Sequence, residues 1–179
     1  MDLLFEENNR KITVREVAGL MMAAARTAPK GRGIDNLTIA LVEEEGIREI
    51  SDRMKILGSR KDAPPYLLRD AENILNAQAI VLIGTCIKSQ GAKLCGQCGF
   101  QNCDEKNKFP DIPCSFNTGD LGIAIGSAVS VAMDHRIDNR VMFTVGRAVI
   151  DMKLLGEEVR IAYGIPLSIS AKSPFFDRK

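Results

Sequence analysis

Four of the chain's five cysteines fall in the stretch CGQCGFQNCDEKNKFPDIPC, residues 95–114. Their spacing is C-x2-C-x4-C-x10-C, and a glycine directly follows each of the first two. Packing alone does not call for such a density, whereas ligation does, because soft thiolates select zinc and iron–sulfur centres. Disulfides are the rival use. An odd cysteine count argues against them. So does the N-terminus, MDLLFEENNRK, which is acidic and lacks the basic-then-apolar order of an export signal. The expectation is a protein of the reducing cytoplasm, where disulfides are rare.

Two ligand chemistries compete for Cys95, Cys98, Cys103 and Cys114. Four thiolates complete a [4Fe–4S] cluster. Gly96 and Gly99 would let the chain fold tightly around it and leave amides free to point at its sulfurs. Pro113 would preset the approach of Cys114, with Phe100 and Phe109 as shields against water. A four-cysteine zinc site usually shows two C-x2-C knuckles, and here the second pair is split. The spacing therefore favours the cluster, with zinc and free or redox-active thiols as alternatives. Cys86, the fifth, reads as a small buried hydrophobe at a strand end rather than a ligand.

The rest of the chain reads as the scaffold. Its 179 residues suffice for one core, so the expectation is a single domain, 1–179, with 86–116 as a cysteine-rich, ferredoxin-like insertion. Apolar residues at helical spacing predict a helix over 13–28, with Thr13 as N-cap and Pro29 ending it. A second helix is expected over 47–58 after an acidic turn at 43–46. A third, over 66–77, follows Pro64 and Pro65. Strands are expected at 37–42, 79–84 and 158–168. The stretch 121–133 is almost wholly apolar or small, which predicts a helix buried nearly all round. Gly122, Ala124, Gly126 and Ala128 would let another helix approach it closely. Residues 139–156 read as a further helix, through Val141, Val145, Ala148, Val149, Met152 and Leu155. The fold class is α+β.

Several functions are excluded. A net charge of +1 gives no sign of a nucleic-acid or membrane partner, and no apolar run approaches the roughly 20 residues of a membrane span. There is no Ser-His-Asp arrangement, P-loop or dinucleotide-binding glycine fingerprint. His135, the one histidine, suits a helix C-terminus as a surface cap. Asp120 is expected in a helix first turn, and Met21 and Met22 in the core.

At these residues the chain resembles known families. LCGQCGFQNC with a later cysteine resembles a small iron–sulfur motif of anaerobic electron-transfer proteins, although the last gap is shorter than usual there. MMAAARTAPKGRGIDNLTIALV resembles the N-terminal helix, Ala-Pro break and first strand of the nitroreductase-like family. DLGIAIGSAVSVAMDHRIDNRV resembles its central helix, and VRIAYGIPLSISAKSPFFDRK its last strand and basic tail. Together these are similar to the uncharacterised ferredoxin-domain proteins that join a nitroreductase-like fold to a [4Fe–4S]-type cysteine motif. The resemblance implies helices around a central sheet and an obligate homodimer, with FMN at the subunit interface in flavin-binding members.

Two segments depart from the flavin-binding pattern. Residues 8–12 are NNRKI, without the arginine- and serine-containing segment that grips the FMN phosphate. After Ala-Pro, Lys30, Gly31, Arg32 and Gly33 replace the family's Ser-x-x-Asn. Arg26, Lys30 and Arg32 are the remaining candidates for a phosphate grip, with a solvated basic turn as the alternative. Arg178 and Lys179 end a tail expected to pack on a partner subunit. Two functions stay open. One is an iron–sulfur redox protein, extending to an FMN-dependent oxidoreductase in which the cluster relays electrons to or from a redox partner. The other is a non-enzymatic redox or metal sensor, with a structural cluster or zinc and no flavin.

Overall fold

The computed structural model describes residues 1–176. A long helix, α1 (Glu6–Thr27), opens the chain and buries Val14, Val17, Ala18, Met21 and Ala25. It starts well before residue 13, with Glu6 and Glu7 in a first turn where the helix dipole favours acidic groups. Thr13 is therefore not a cap. It lies inside the helix, and its hydroxyl donates back to the carbonyl of Asn9 at 3.3 Å.

Among the described residues, four strands form one antiparallel sheet: β1 (Leu37–Glu43), β2 (Ala79–Cys86), β3 (Asp138–Asn139) and β4 (Val159–Ser168). Their order is β1-β2-β4-β3. β2 is an unbroken apolar run because strands flank it and helices cover both its faces. Val81, Ile83, Ile165 and Leu167 face one helical layer, made of α1 and α5 (Ser115–Asp134). Ile80, Leu82 and Ala162 face the other, made of α2 (Glu44–Gly58), α3 (Tyr66–Ile74) and α6 (Phe143–Asp151). The predicted α+β class, with helices around a central sheet, is the observed one.

Several local expectations are corrected. The acidic stretch at 43–46 is no separate turn, since Glu44 and Glu45 form the first turn of α2. The helix expected over 139–156 shrinks to α6. The residues before it are extended, as Asp138 and Asn139 pair with Ser168 and Leu167 and Met142 bridges to Gly164. α5 is not buried all round. Leu121, Ala124, Ile125, Ala128 and Ala132 pack inward with the buried face of α1, while Gly122, Ile123, Gly126, Ser130 and Met133 face outward. Alanines, not glycines, thus make the close α1–α5 approach.

Phe175 is fully buried in the α2, α3 and α6 layer of its own chain. Arg140 donates to its carbonyl at 2.8 Å and stacks its guanidinium over the Phe176 ring. Arg178 and Lys179 lie outside the described residues. Among the described residues, no helix is long and apolar enough to cross a membrane.

Candidate metal centre

β2 loses register against β4 between Thr85 and Cys86, and the chain leaves the sheet there. Residues 87–114 then connect β2 to α5 and contain one short helix, α4 (Cys103–Asn107). Apolar periodicity is absent from this segment, so polar bonds shape it. The Lys88 amide donates to Asn117 Oδ1 at 3.0 Å, and Ser89 Oγ donates to Asn107 Oδ1 at 2.6 Å. Asn102 caps α4 by accepting from the Glu105 amide, and Glu105 Oε2 accepts from the Gln101 amide in return. Gly96 and Gly99 take φ values of 60° and 86°, a left-handed conformation costly for residues with a Cβ. The Gly99 amide is not free, however. It donates to the Gly96 carbonyl at 3.0 Å and closes the turn between the first two cysteines.

These turns bring Cys95, Cys98, Cys103 and Cys114 to the wall of one pocket. All four are free thiols, with Cys114 buried and the other three half-buried. Cys114 is the N-cap residue of α5, so the last thiol sits at the root of a rigid helix. Phe100 lines the pocket and stacks on Phe109, ring centroids 5.4 Å apart. Phe109 itself is exposed and outside the lining, and Phe116 supplies the second aromatic wall. Cys86 stays half-buried at the end of β2 and does not line the pocket.

The three basic candidates lie together, Arg26 in the last turn of α1 and Lys30 and Arg32 on the turn after it, with bonds directed to their own chain. Lys30 Nζ folds back on the end of α1 and donates to the carbonyls of Ala25, Arg26 and Ala28 at 2.8, 2.5 and 2.7 Å. These are among the carbonyls a helix end leaves unpaired. Arg26 Nη1 binds Asp35 Oδ2 at 2.5 Å and the Leu37 carbonyl at 3.1 Å. Burial alone would raise the Asp35 carboxyl. The hydrogen bonds from Arg26 and the Leu37 amide, with the charges of Arg26 and Lys30, outweigh it and hold the group below its ordinary value. Arg32 Nη1 donates to the Gln90 carbonyl at 2.7 Å.

That last bond joins the basic turn to the cysteine pocket. Gln90 is buried and lines the pocket. Its side chain donates to the carbonyl of Gly31 and accepts from Asn36 Nδ2. The Gly31 amide donates to Asp120 Oδ1 in α5 at 3.0 Å, in the second turn of the helix rather than the expected first. The basic turn, the cysteine loop and the start of α5 are therefore one hydrogen-bonded unit. Gln90, Asn117 and Asp120 carry it, and nothing in their local sequence marks them for that role. Phe116, two residues after a cysteine, was the more accessible signal.

A second, wider cleft of about 890 Å³ lies where the start of α1, the end of α3 and the end of β4 meet. Arg10, Arg69, Lys172, Gln78 and Ser168 are among its lining residues. Glu6 and Asp70 engage the two arginines. The buried Ser168 hydroxyl has no hydrogen-bond partner among the described residues.

Comparison with known proteins agrees with this architecture. A nitroreductase with bound FMN from Desulfitobacterium hafniense superposes with a TM-score of 0.60 at 15% identity, over 88% of this chain and 78% of that one. A nitroreductase with bound FMN from Bacteroides fragilis gives 0.60 at 13%, over 92% and 81%. A BluB-like flavoprotein from Clostridium difficile gives 0.56 at 16%, over 92% and 84%. At these identities the likeness shows the fold, which is nitroreductase-like. In sequence, an uncharacterized protein of Archaeoglobus fulgidus is 37% identical over 184 aligned residues, covering 98% of each chain. A family model described as "Uncharacterized protein containing a ferredoxin domain (DUF2148)" matches residues 111–178, a span that includes Cys114 and α5. The chain belongs to the same family as its uncharacterized archaeal relative.

Proposed function

We propose that this protein is an iron–sulfur redox protein whose Cys95, Cys98, Cys103 and Cys114 hold a [4Fe–4S] cluster. The observation that carries the reading is the meeting of these four free thiols on one pocket walled by Phe100 and Phe116. The spacing supports the cluster over zinc, since a four-cysteine zinc site usually shows two C-x2-C knuckles and here the second pair is split.

When bound, such a cluster supplies one-electron chemistry. The chain's own residues do the remainder. Four thiolates hold the group, the two phenyl rings exclude water, and Gln90 ties the pocket wall to the basic turn. In this reading Arg26, Lys30 and Arg32 buttress the pocket instead of gripping a flavin phosphate. A second copy of the chain would seat on the outward face of α5, where no charged residue stands between Asp120 and Asp134 and Ile123 and Met133 are exposed.

An FMN-dependent oxidoreductase is the second reading. Two of the structural neighbours carry FMN, and the wide cleft has the volume of a ligand site. Anaerobic purification with iron, sulfide, zinc and flavin analysis tests both. About four irons and four sulfides per chain without flavin is the expected outcome. Stoichiometric FMN would favour the second reading, and colourless, zinc-loaded protein would overturn the cluster.

A further inference from the structure

α5 begins at the cysteine pocket. Cys114 caps the helix, and Cys114, Ser115 and Phe116 all line the pocket wall. The first amides of a helix have no acceptor within it. Among the described residues, the Asn117 amide donates to the Cys114 carbonyl, whereas the Ser115 and Phe116 amides have no partner. The Cys114 thiol beside them is 6% exposed and equally without one. This end of α5 is also held fast, by Asn117 on the Lys88 amide and by Asp120 on the Gly31 amide, each at 3.0 Å. The Gly99 amide, one of the donors that the glycine spacing suggests, is engaged by the Gly96 carbonyl. A rigid, unpaired N–H therefore stands on the pocket wall next to a buried thiol, and it lacks an acceptor.

We propose that the Ser115 amide donates a hydrogen bond to sulfur of the cluster in the cysteine pocket and raises its reduction potential, an inference that rests on the iron–sulfur reading. A four-iron core ligated by four thiolates is a net anion. One electron from an outside donor adds one negative charge, with no bond formed or broken and no proton moved. A fixed N–H stabilises the reduced form more than the oxidised one, because the attraction grows with the charge on the acceptor. The dipole of α5, positive at this end, acts in the same direction. Hydrogen bonds to sulfur are one of the levers by which a protein tunes such a group.

Ser115→Pro deletes the N–H at little cost to the fold. Proline is favoured as the first residue of a helix. It holds the residue before it to an extended backbone, which Cys114 already has at φ −69° and ψ 138°. The test is an anaerobic redox titration of the wild type, Ser115→Pro and Ser115→Ala, followed by EPR, with iron content measured on each sample. Ser115→Pro is expected to move the potential to more negative values by about tenfold in the one-electron equilibrium, or about 59 mV. Ser115→Ala, which keeps the amide, is expected to stay near the wild type. An unchanged potential in iron-loaded Ser115→Pro would overturn the inference. So would an equal shift in Ser115→Ala, since that reports the hydroxyl or packing rather than the amide. If the proline ring keeps iron out, the decision passes to Ser115→Ala made with an ester in place of the 114–115 peptide bond, which deletes the N–H and adds no bulk. The ester chain should show the same lowered potential, and failure of the ester chain alone to hold iron would also support the donor. A potential equal to that of ordinary Ser115→Ala would overturn the inference. A wild type without iron is a separate result, and it would sink the cluster reading and this inference with it.

Discussion

Arg32 Nη1 lies 2.7 Å from the carbonyl oxygen of Gln90 and donates a hydrogen bond to it. Through that contact the turn closing α1 grips the loop that carries the cysteines. Arg32 holds a left-handed backbone, φ 56°, which places its side chain across the turn towards residue 90. Gly31, beside it, has its amide on Asp120 of α5. The segment that departs most from the flavin-binding pattern is therefore the one that braces the cysteine pocket.

Gly31→Ala tests that brace. A Cβ at residue 31 would collide with the Phe116 ring, which walls the pocket. Overpacking of this kind costs about 1–3 kcal/mol. The variant is expected to melt at a lower temperature and to surrender iron to a chelator several-fold faster than the wild type. Equal release rates would show that the turn and the pocket are not coupled.

Asp35 gives the brace a pH dependence. Its carboxyl is held below the ordinary value in the folded chain, so the unfolded chain binds its proton more readily. The resulting stability is complete above the unfolded carboxylate value, near pH 4, and is lost as pH falls through the folded value. Thermal melting of Asp35→Asn against the wild type should show a deficit at pH 7 that closes in the acid range below about pH 4. A deficit that is constant with pH would mean that the ion pair with Arg26 is not its source.

Phe175 anchors the C-terminal segment. Truncating a fully buried phenylalanine costs about 3–5 kcal/mol, so Phe175→Ala should unfold at markedly lower denaturant. The exposed Phe176 makes the matched control, since Phe176→Ala removes only a surface stacking contact with Arg140. Equal losses in the two variants would contradict the burial.

Much of the fold is legible in the sequence, for physical reasons that also explain the rest. The three long strands announce themselves because both faces of the sheet are covered, giving dense apolar runs at Ala79 and beyond. β3 has two residues, too few to carry a period, and it disappears into the pattern of the helix that follows. The outward glycines of α5 read as core because a small residue is silent about which side it faces. The cysteines are legible because their chemistry is written in residue type and spacing. Gln90 is not, because its weight comes from burial and from partners distant in the chain.

The outward face of α5 makes its own forecast. Ile123 is 48% exposed amid Gly119, Gly122 and Gly126, which have open space around them. If a second copy seats there, Ile123→Glu places a charge in the contact and should halve the mass seen by light scattering while leaving the circular dichroism unchanged. A wild type that is already monomeric, or a variant that stays dimeric, would place any partner elsewhere.

The most direct measurement is EPR of the anaerobically purified protein during one-electron reduction, with iron and sulfide counted on the same sample. Binding of a four-iron cluster by Cys95, Cys98, Cys103 and Cys114 should give about four irons and four sulfides per chain and a cluster signal that appears on reduction. Cys98→Ser should lose most of it and Cys86→Ser should keep it. A wild type that carries zinc and stays silent on reduction would contradict the assignment, as would a site emptied by Cys86→Ser.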